Sequence, residues 1–258
     1  MEHAGVAGTV GQGLREKFTT EERYVPELVR KKLYLSSFLL IAVGSLIFLS
    51  LVIQVANGVG IVSLDQLAEA WFVSIRTPFL TTFNDVLAVI FGPVSLPIIV
   101  LVVTIVWIIR AKHAWRPLVL AGAMTLGVVL IQILTRLVQR PRPPLDLMLY
   151  GKDMTYSFPS GHVCGTTDFF LLLSYLLISR NPTRRRISIA VVITVTGVSS
   201  QVFSRLYLGY HWLSDTLASI CLSMVILGLV MAIDTRRTVR TPGEKVTGEL
   251  SKVQTENT

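Results

Sequence analysis

Two histidines of this chain stand beside residues that suit proton transfer and anion binding. His162 belongs to the stretch PSGH at residues 159–162, and His211 lies four residues before Asp215. The chain has only four histidines in all. A histidine beside a bound anion can donate a proton to a leaving oxygen, and one oriented by a carboxylate can act as a nucleophile. These residue types indicate acid–base or nucleophilic chemistry on an anion.

The stretch around His162 is typical of a helix N-terminus that binds an anion. Pro159 fits a first helical turn, and Ser160 and Gly161 would then present free backbone N–H groups at the positive end of the helix dipole. Ser160 adds a hydroxyl donor, and Gly161 allows a close approach to the backbone. A plain helix cap with an interfacial histidine is the alternative for this stretch taken alone.

The stretch around His211 has the spacing of an oriented imidazole. An apolar segment ends at Ser204-Arg205, five residues make a turn, and the next segment begins at His211. Asp215 would then lie one turn further on the same helix face. Its carboxylate can accept the proton of one ring nitrogen and leave the other as a nucleophile. A pair kept only for helix packing is the alternative.

A third polar cluster, TRLVQRPRPP, occupies residues 135–144. Its prolines stop a helix and splay the arginines outward. Guanidinium groups bind phosphate oxygens in a planar, bidentate manner and keep their charge. An ordinary basic patch beside lipid headgroups is the alternative reading of this cluster alone.

Long apolar segments separate these clusters. Of the 258 residues, 52% are hydrophobic and only 16% are charged, against about 25% charged in typical soluble domains. A span needs about 20 apolar residues, and six segments qualify: 33–56, 85–110, 117–138, 160–179, 187–204 and 211–233. The sequence therefore predicts an all-α, polytopic membrane bundle of six transmembrane helices.

Two irregularities are expected near the second span. Gly92, Pro93 and Pro97 interrupt it, which predicts a kink or a re-entrant start. Residues 64–79 mix apolar and polar types, which favours a short helix along the membrane interface between the first and second spans. Asp168 lies inside the fourth span. It is expected either to form a hydrogen bond between helices or to act in a proton relay or in substrate binding.

Lys and Arg set the expected orientation. They are concentrated at alternate ends of the six segments, at residues 30–32, 110–116, 180–186 and 236–240. Cytoplasmic ends carry such an excess. We therefore expect a multi-pass protein of the cell membrane with both termini in the cytoplasm and the three polar clusters together on the outside. The expected parts are a cytoplasmic tail (1–32), a six-helix membrane domain (33–235) and a polar C-terminal tail (236–258).

The remaining composition excludes some classes of function. The net charge of +8 does not indicate nucleic-acid binding, because most of the basic residues flank apolar segments. Cys164 and Cys221 lie in apolar segments without metal-ligand spacing and are expected to be packing residues. A lipid or solute transporter is disfavoured, because the centres of the spans hold few ionisable groups besides Asp168.

Taken together, the motifs resemble the three-part signature of the phosphatidic acid phosphatase type 2 superfamily. The matching residues are Arg142-Pro143, then residues 159–162, then Ser204-Arg205, His211 and Asp215 at the signature spacing. The second and third motifs match at every position, and the resemblance covers residues 33–235. That superfamily includes integral-membrane lipid phosphatases, glucose-6-phosphatase-like enzymes and soluble vanadium haloperoxidases.

The resemblance implies a role for each motif. His211 would attack phosphorus and form a phosphohistidine, with Asp215 orienting it. His162 would protonate the leaving group and later help to activate water. The phosphoryl oxygens would be held by Arg142, Ser160, Gly161 and Arg205. No metal or cofactor is implied.

One position departs from the family pattern. A lysine usually stands seven residues before the motif arginine, and here that residue is Thr135. Either Arg136 or Arg140 supplies the missing charge, or Thr135 donates only a neutral hydrogen bond. Arg136 and Arg140 are therefore secondary candidates for phosphate binding.

The expected function is a metal-independent phosphatase that acts at the extracytoplasmic face through a phosphohistidine. Its substrate would be amphiphilic, such as a polyprenyl diphosphate, phosphatidylglycerol phosphate, phosphatidate or another lipid phosphate. A phosphotransferase would share the phosphohistidine and pass the phosphoryl group to an alcohol. The sequence leaves this alternative and the oligomeric state open.

Overall fold

A computed structural model describes residues 16–255 of the chain. The fold is a bundle of helices with a small sheet at one end. The helices are α1 (Glu27–Asn57), α2 (Val62–Ser74), α3 (Pro78–Ile90), α4 (Ser95–Arg110), α5 (Trp115–Val138), α6 (Gly161–Ile178), α7 (Arg184–Tyr207), α8 (Leu213–Thr238) and the short α9 (Lys252–Thr255). The strands are β1 (Glu21–Tyr24), β2 (Val239–Arg240) and β3 (Glu249–Leu250), and a 3₁₀ turn spans Leu145–Leu147.

The predicted membrane bundle is confirmed. Within residues 16–255, α1, α5, α6, α7 and α8 are each long and apolar enough to cross a membrane. α3 and α4 meet the same test only as a pair, with a bend of 50° between them, as in a broken span or a re-entrant loop. The bend falls at Gly92 and Pro93, as the sequence predicted. The broken span begins at Pro78, earlier than expected, and α2 occupies the predicted interfacial segment.

The core of the bundle lies around α6 and α8, the most buried of the spans. Small residues let α1 lie directly against α8. A Cβ atom added to Gly44 would lie 2.8 Å from the backbone oxygen of Cys221, and one added to Gly228 would lie 2.8 Å from that of Ser37. Small residues at such seams are typical of helices packed in membranes. Cys221 is thus a packing residue of this seam.

The two segments treated as tails contain structure that the sequence did not predict. β1 lies between β2 and β3 and is parallel to both. Buried Glu22 accepts hydrogen bonds from Arg240 Nη2 at 2.9 Å and from Thr247 Oγ1 at 2.6 Å. Pairing between distant segments explains why local sequence signals missed the sheet. Residues 1–15 and 256–258 of the expected tails lie outside the described residues.

The sheet and the polar motifs lie at opposite ends of the bundle. At the sheet end, Arg23 Nη1 donates to the backbone oxygen of Ser179 at 2.5 Å, and Arg116 Nη2 donates to Ser179 Oγ at 2.8 Å. These arginines satisfy groups at the C-terminal end of α6. The N-terminal end of α6, with His162, therefore faces the opposite end, where the other motifs meet.

Candidate active site

A polar cavity of about 370 Å³ lies where the three motifs converge. It is enclosed by the α3–α4 break, the loop after α5, the start of α6 and the turn between α7 and α8. The chemistry-bearing side chains that line it are Arg142, Tyr150, Asp153, His162, Arg205, Tyr210 and His211. Four of these were candidate site residues from the sequence: Arg142, His162, Arg205 and His211.

His211 precedes α8 instead of starting it. The helix is capped by Trp212 and begins at Leu213, so the expectation that His211 and Asp215 share a helix face is wrong. His211 Nδ1 lies 2.8 Å from the backbone oxygen of Ser157 and 3.6 Å from Asp215 Oδ2. Because a carbonyl oxygen only accepts hydrogen bonds, Nδ1 carries the proton and Nε2 keeps its lone pair.

The environment of His211 favours its neutral form. The ring is 6% exposed, and this burial lowers the pKa of His211, although the neighbouring Asp215 carboxylate opposes the shift. Its Nε2 atom lies 3.3 Å from Arg142 Nη1, at the wall of the polar cavity. The arrangement presents an unprotonated nitrogen beside a guanidinium, which suits a nucleophile that attacks an anionic group.

Asp215 is fully buried and holds the start of α8. Its Oδ2 atom accepts a hydrogen bond from the backbone N–H of Trp212 at 2.9 Å, and its Oδ1 atom accepts one from Arg140 Nη1 at 2.5 Å. A carboxylate at the third helical position that bonds back to the cap residue fixes the entry of the chain into the helix. Asp215 therefore positions the residues immediately before α8, which include His211.

Arg140 does not line the polar cavity. It is 9% exposed, and its Nη2 atom donates to Asp65 Oδ2 at 2.6 Å while Nη1 donates to Asp215 Oδ1 and, at 2.6 Å, to Ser214 Oγ. Its guanidinium also lies over the Trp212 ring, 5.5 Å from the centroid. The expectation that Arg140 binds phosphate is therefore corrected, because both terminal nitrogens are committed to buried carboxylates.

Asp65 on α2 is a site-associated residue that sequence reasoning missed. It is 1% exposed, and its Oδ1 atom accepts a hydrogen bond from the backbone N–H of Ser214 at 2.8 Å. Asp65 Oδ2 accepts a second one from Ser214 Oγ, also at 2.8 Å. The interfacial helix is thereby attached to the first turn of α8. The segment holds two acids, Asp65 and Glu69, and nothing in the sequence marked Asp65 as the one that reaches the site.

Arg142 is partly engaged by the loop that covers the polar cavity. Its Nη1 atom donates to the backbone oxygen of Tyr210 at 2.7 Å, and its Nη2 atom lies 2.8 Å from Asp153 Oδ2 and 3.0 Å from Thr155 Oγ1. Its buried Nε has no hydrogen-bond partner among the described residues. Asp153 therefore binds Arg142 Nη2, a donor that could otherwise bind a phosphate oxygen.

Arg205 enters the polar cavity from the last turn of α7. It is 4% exposed, its guanidinium lies 5.5 Å from the centroid of the Tyr210 ring, and its Nε lacks a hydrogen-bond partner within the described range. The end of α7 is held by the neighbouring Tyr207, whose hydroxyl accepts from the backbone N–H of Thr77 at 2.8 Å and donates to its oxygen at 3.0 Å. Arg205 is thus a fixed cation with an unused donor.

The turn between α7 and α8 requires a glycine. Gly209 has φ of +78°, and a Cβ atom there would lie 2.5 Å from the backbone oxygen of Leu147. A side chain at this position would be strained and would also clash with the loop after α5. The turn thereby brings Arg205 and His211, which it separates along the chain, to the same cavity.

The start of α6 differs in detail from the prediction. Pro159 lies outside the helix, and Ser160 is the cap residue, whose Oγ accepts from the backbone N–H of Val163 at 3.5 Å. Ser160 is fully buried, and its own N–H lies 3.5 Å from the backbone oxygen of Asp215. Gly161, the first helical residue, is exposed, and His162 faces the polar cavity. Ser160 caps α6, and the exposed backbone of Gly161 lies next to His162 in the chain.

Two residues of the first motif lie away from the polar cavity. The Arg136 side chain is exposed on α5, and Thr135 is half-buried, with its backbone oxygen accepting from the N–H of Gln139 at 3.1 Å. Neither residue lines the polar cavity. The charge that the usual lysine would supply is therefore not replaced by Arg136 or Arg140, and the lining cations are Arg142 and Arg205.

Comparisons with known proteins agree with this geometry. Residues 116–238 match the model of the PAP2 superfamily. Phosphatidylglycerophosphatase B from Bacillus subtilis (strain 168) is 26% identical over 178 residues, which cover 67% of this chain and 84% of that protein. A crystal structure of a transmembrane PAP2 type phosphatidylglycerolphosphate phosphatase from Bacillus subtilis overlaps with a TM-score of 0.66 and 22% identity, over 75% of this chain and 96% of that one. The last similarity shows a shared fold.

The matched range contains the residues whose convergence defines the polar cavity. Arg142, His162, Arg205 and His211, which line the cavity, all lie between residues 116 and 238, as does Asp215 beside His211. The motif spacing and the helical bundle therefore agree with the match of residues 116–238 to the PAP2 superfamily.

Proposed function

We propose that the protein hydrolyses a lipid phosphate or a polyprenyl diphosphate at the extracytoplasmic face, without a metal ion, through a phosphohistidine. The observation that carries this proposal is the state of His211. Its Nδ1 proton is held by the backbone oxygen of Ser157, so its Nε2 lone pair faces the polar cavity beside Arg142. A nitrogen nucleophile beside unused guanidinium donors suits attack on phosphorus.

In the first step, His211 Nε2 attacks phosphorus and the bond from phosphorus to the leaving oxygen breaks. His162, which lines the same cavity, donates a proton to that oxygen as it departs. The products are a phosphohistidine and the free alcohol, or the monophosphate if the substrate is a diphosphate. Asp215 stabilises the charge that develops on the imidazole, since its Oδ2 atom lies 3.6 Å from Nδ1.

In the second step, water attacks the phosphohistidine. His162, now neutral, accepts a proton from that water, and the bond from phosphorus to Nε2 breaks. Inorganic phosphate leaves, and His211 returns to its neutral form. Arg142 and Arg205 would hold the phosphoryl oxygens in both steps, because their Nε–H groups are buried and have no partner within the described residues. Gly161 would add a backbone N–H at the start of α6.

The position of the polar cavity supports an amphiphilic substrate at the outer surface. The cavity lies at the end of the bundle opposite the basic helix ends, and excess basic residues mark the cytoplasmic side. With six spans, both termini would be cytoplasmic. Phosphatidylglycerophosphatase B, the relative named above, carries a lipid phosphatase name, which favours a phosphorylated lipid as the substrate here.

Phosphate release from a panel of lipid phosphates, measured with purified protein in EDTA, tests this proposal. The panel should include phosphatidate, phosphatidylglycerol phosphate and a polyprenyl diphosphate. His211→Ala should abolish release, and vanadate should inhibit the wild type as a mimic of the transition state. His113→Ala is the matched control, because His113 contacts Thr19 at the opposite end of the bundle, and it should retain activity.

Two outcomes would contradict the mechanism: activity that survives His211→Ala, or activity that needs an added metal ion. Adding a simple alcohol distinguishes the related phosphotransferase, which would form a phosphorylated alcohol from the same intermediate. A cysteine introduced at Lys152, in the loop over the polar cavity, tests the orientation. It should react with an impermeant reagent in intact cells.

A further inference from the structure

A second cavity, which we call the apolar groove, runs from the polar cavity into the bundle between α4, α5 and α6. Its volume is about 370 Å³. It shares Gly92, Pro93 and His162 with the polar cavity, so the two cavities adjoin at these residues. Its walls are mostly apolar, with side chains such as Leu96, Val100, Val128 and Ile131. A molecule whose phosphate sits in the polar cavity would extend its lipid part here.

One acidic residue lines this mostly apolar groove. Asp168 on α6 is 1% exposed. Its Oδ2 atom accepts a weak hydrogen bond from Cys164 Sγ at 3.5 Å, whereas Oδ1 has no partner among residues 16–255. Thr104 Oγ1, on the α4 side of the apolar groove, is likewise buried without a partner in the described part of the chain. Polar groups buried in this way normally find a partner, because leaving them unpaired costs free energy.

Asp168 lies at a defined depth below the catalytic histidine. It follows His162 by six residues of the same helix, which corresponds to about 9 Å along the axis. In glycerolipid phosphates, the ester-bearing glycerol lies within this distance of the phosphate. In polyprenyl phosphates, the chain is hydrocarbon from its first carbon onward. A carboxyl group can accept a hydrogen bond from a hydroxyl or amide, or donate one to an ester carbonyl when protonated.

We propose that Asp168 is a specificity-determining residue that hydrogen-bonds the polar linker of the substrate, and that the preferred substrate is a glycerolipid phosphate. This inference rests on the proposed function and restricts the preferred substrate to one of the lipid classes named there. The phosphate would bind in the polar cavity, the glycerol region would meet Asp168, and the acyl chains would lie along the apolar walls. A polyprenyl chain would leave the buried carboxyl unpaired and would therefore bind less well.

Gly127 on α5 provides a way to disturb Asp168 without altering it. A Cβ atom at Gly127 would lie 2.3 Å from Asp168 Oδ2. Gly127→Ala therefore forces the carboxyl group to move. Gly122, on the same helix, has no atom within 4 Å of such a Cβ. Gly122→Ala is the matched control, since it makes the same chemical change with no effect on Asp168.

The test compares kcat/KM for dioleoyl phosphatidate and for a polyprenyl phosphate in mixed micelles. The wild type should prefer phosphatidate. Asp168→Leu and Gly127→Ala should each lower the value for phosphatidate by about five- to tenfold, the loss expected for one hydrogen bond. Gly127→Ala should leave the value for polyprenyl phosphate within about twofold of the wild type, and Asp168→Leu should leave it unchanged or raise it, because this variant lacks the unpaired carboxyl. The loss should appear mainly in KM, and Gly122→Ala should match the wild type with both lipids.

A short, water-soluble phosphate ester reports whether each variant is folded, because it fills the polar cavity without reaching Asp168. Ceramide 1-phosphate, which offers hydroxyl and amide donors in place of esters, shows which linker group is used. Equal losses with both lipids in folded variants, or a wild type that prefers polyprenyl phosphate, would overturn the inference alone. A wild type that hydrolyses no lipid phosphate would overturn the proposed function as well.

Discussion

Arg140 Nη1 donates to Asp215 Oδ1 at 2.5 Å, and the same guanidinium reaches Asp65 on the interfacial helix. One arginine thus forms salt bridges to two buried carboxylates, from α2 and α8. This explains why the motif carries two arginines two residues apart. Arg142 faces the polar cavity, and Arg140 holds the framework on which His211 is mounted.

Removing Arg140 should therefore destabilise the protein. Arg140→Ala would leave Asp65 and Asp215 buried without their shared cation, a change that typically costs about 3–5 kcal/mol. Arg136→Ala is the matched control, since Arg136 is exposed on the same stretch of chain, and it should change stability by less than about 0.5 kcal/mol. Denaturant unfolding in detergent measures both. Equal stability of the two variants would contradict the framework role.

Asp65→Asn should lower activity without removing a group from the polar cavity. The amide keeps the shape of Asp65 but weakens its bonds to Arg140 and Ser214, so the start of α8 loses orientation. We expect kcat to fall on the order of tenfold, or about 1.4 kcal/mol, with KM nearly unchanged. Steady-state kinetics with a soluble phosphate ester give both parameters. A change confined to KM would instead indicate direct contact with the substrate.

The midpoint of the acid limb of the pH–rate profile should lie below the usual pKa of a histidine. Burial lowers the pKa of His211, and the opposing charge of Asp215 offsets only part of this effect. The nucleophile must be unprotonated, so kcat/KM should fall as the pH drops through this lowered value. The midpoint of that limb is expected below a pH of about 6.5. A midpoint above pH 7 would contradict the assignment.

Asp153→Asn should improve binding of the substrate. Burial alone would raise the pKa of Asp153, but hydrogen bonds from Thr155 and the charge of Arg142 outweigh it and lower the pKa. Asp153 is therefore ionised at neutral pH and competes with phosphate for Arg142. Removing its charge should lower KM by roughly two- to fivefold, equivalent to less than about 1 kcal/mol. An increased KM would show that Asp153 instead holds Arg142 in place.

Thr135→Lys restores the residue type that the family pattern usually has. Thr135 itself does not line the polar cavity, but the longer lysine side chain can extend its ammonium group towards it. This charge should leave kcat/KM unchanged or raise it a fewfold, through attraction of the anionic substrate. Leu137→Lys, at a position 74% exposed two residues further along the same helix, is the control and should have no effect. A collapse of activity in Thr135→Lys alone would mean that the site has adapted to the smaller side chain.

Local signals predicted the bundle and four of the side chains that line its polar cavity. Apolar length marked the spans, Gly92 and Pro93 marked the break, and motif spacing selected Arg142, His162, Arg205 and His211. The remaining features of the site depend on the path of the backbone between the motifs, which local signals do not predict. His211 sits before its helix because Trp212 and Asp215 form the cap, and the partner of Nδ1 is a main-chain oxygen that no residue type reveals.

The contacts of Arg140 likewise could not be predicted from the sequence. In the sequence, Arg140 and Arg142 look alike, since each precedes a proline in the same motif. Their roles differ because the interfacial helix brings Asp65 against one of them. Such a pairing depends on how distant segments pack, so neither charge nor spacing within the motif could separate the two arginines.

The sheet at the opposite end of the bundle has a consequence for biosynthesis. β1 precedes every span, whereas its two partner strands follow the last one. While the ribosome is still producing the helices, β1 has nothing to pair with, and it can pair only after α8 has been synthesised. The sheet therefore closes the chain into a ring around the inserted helices. Formation of the sheet is therefore a late step, which cannot precede synthesis of the last span.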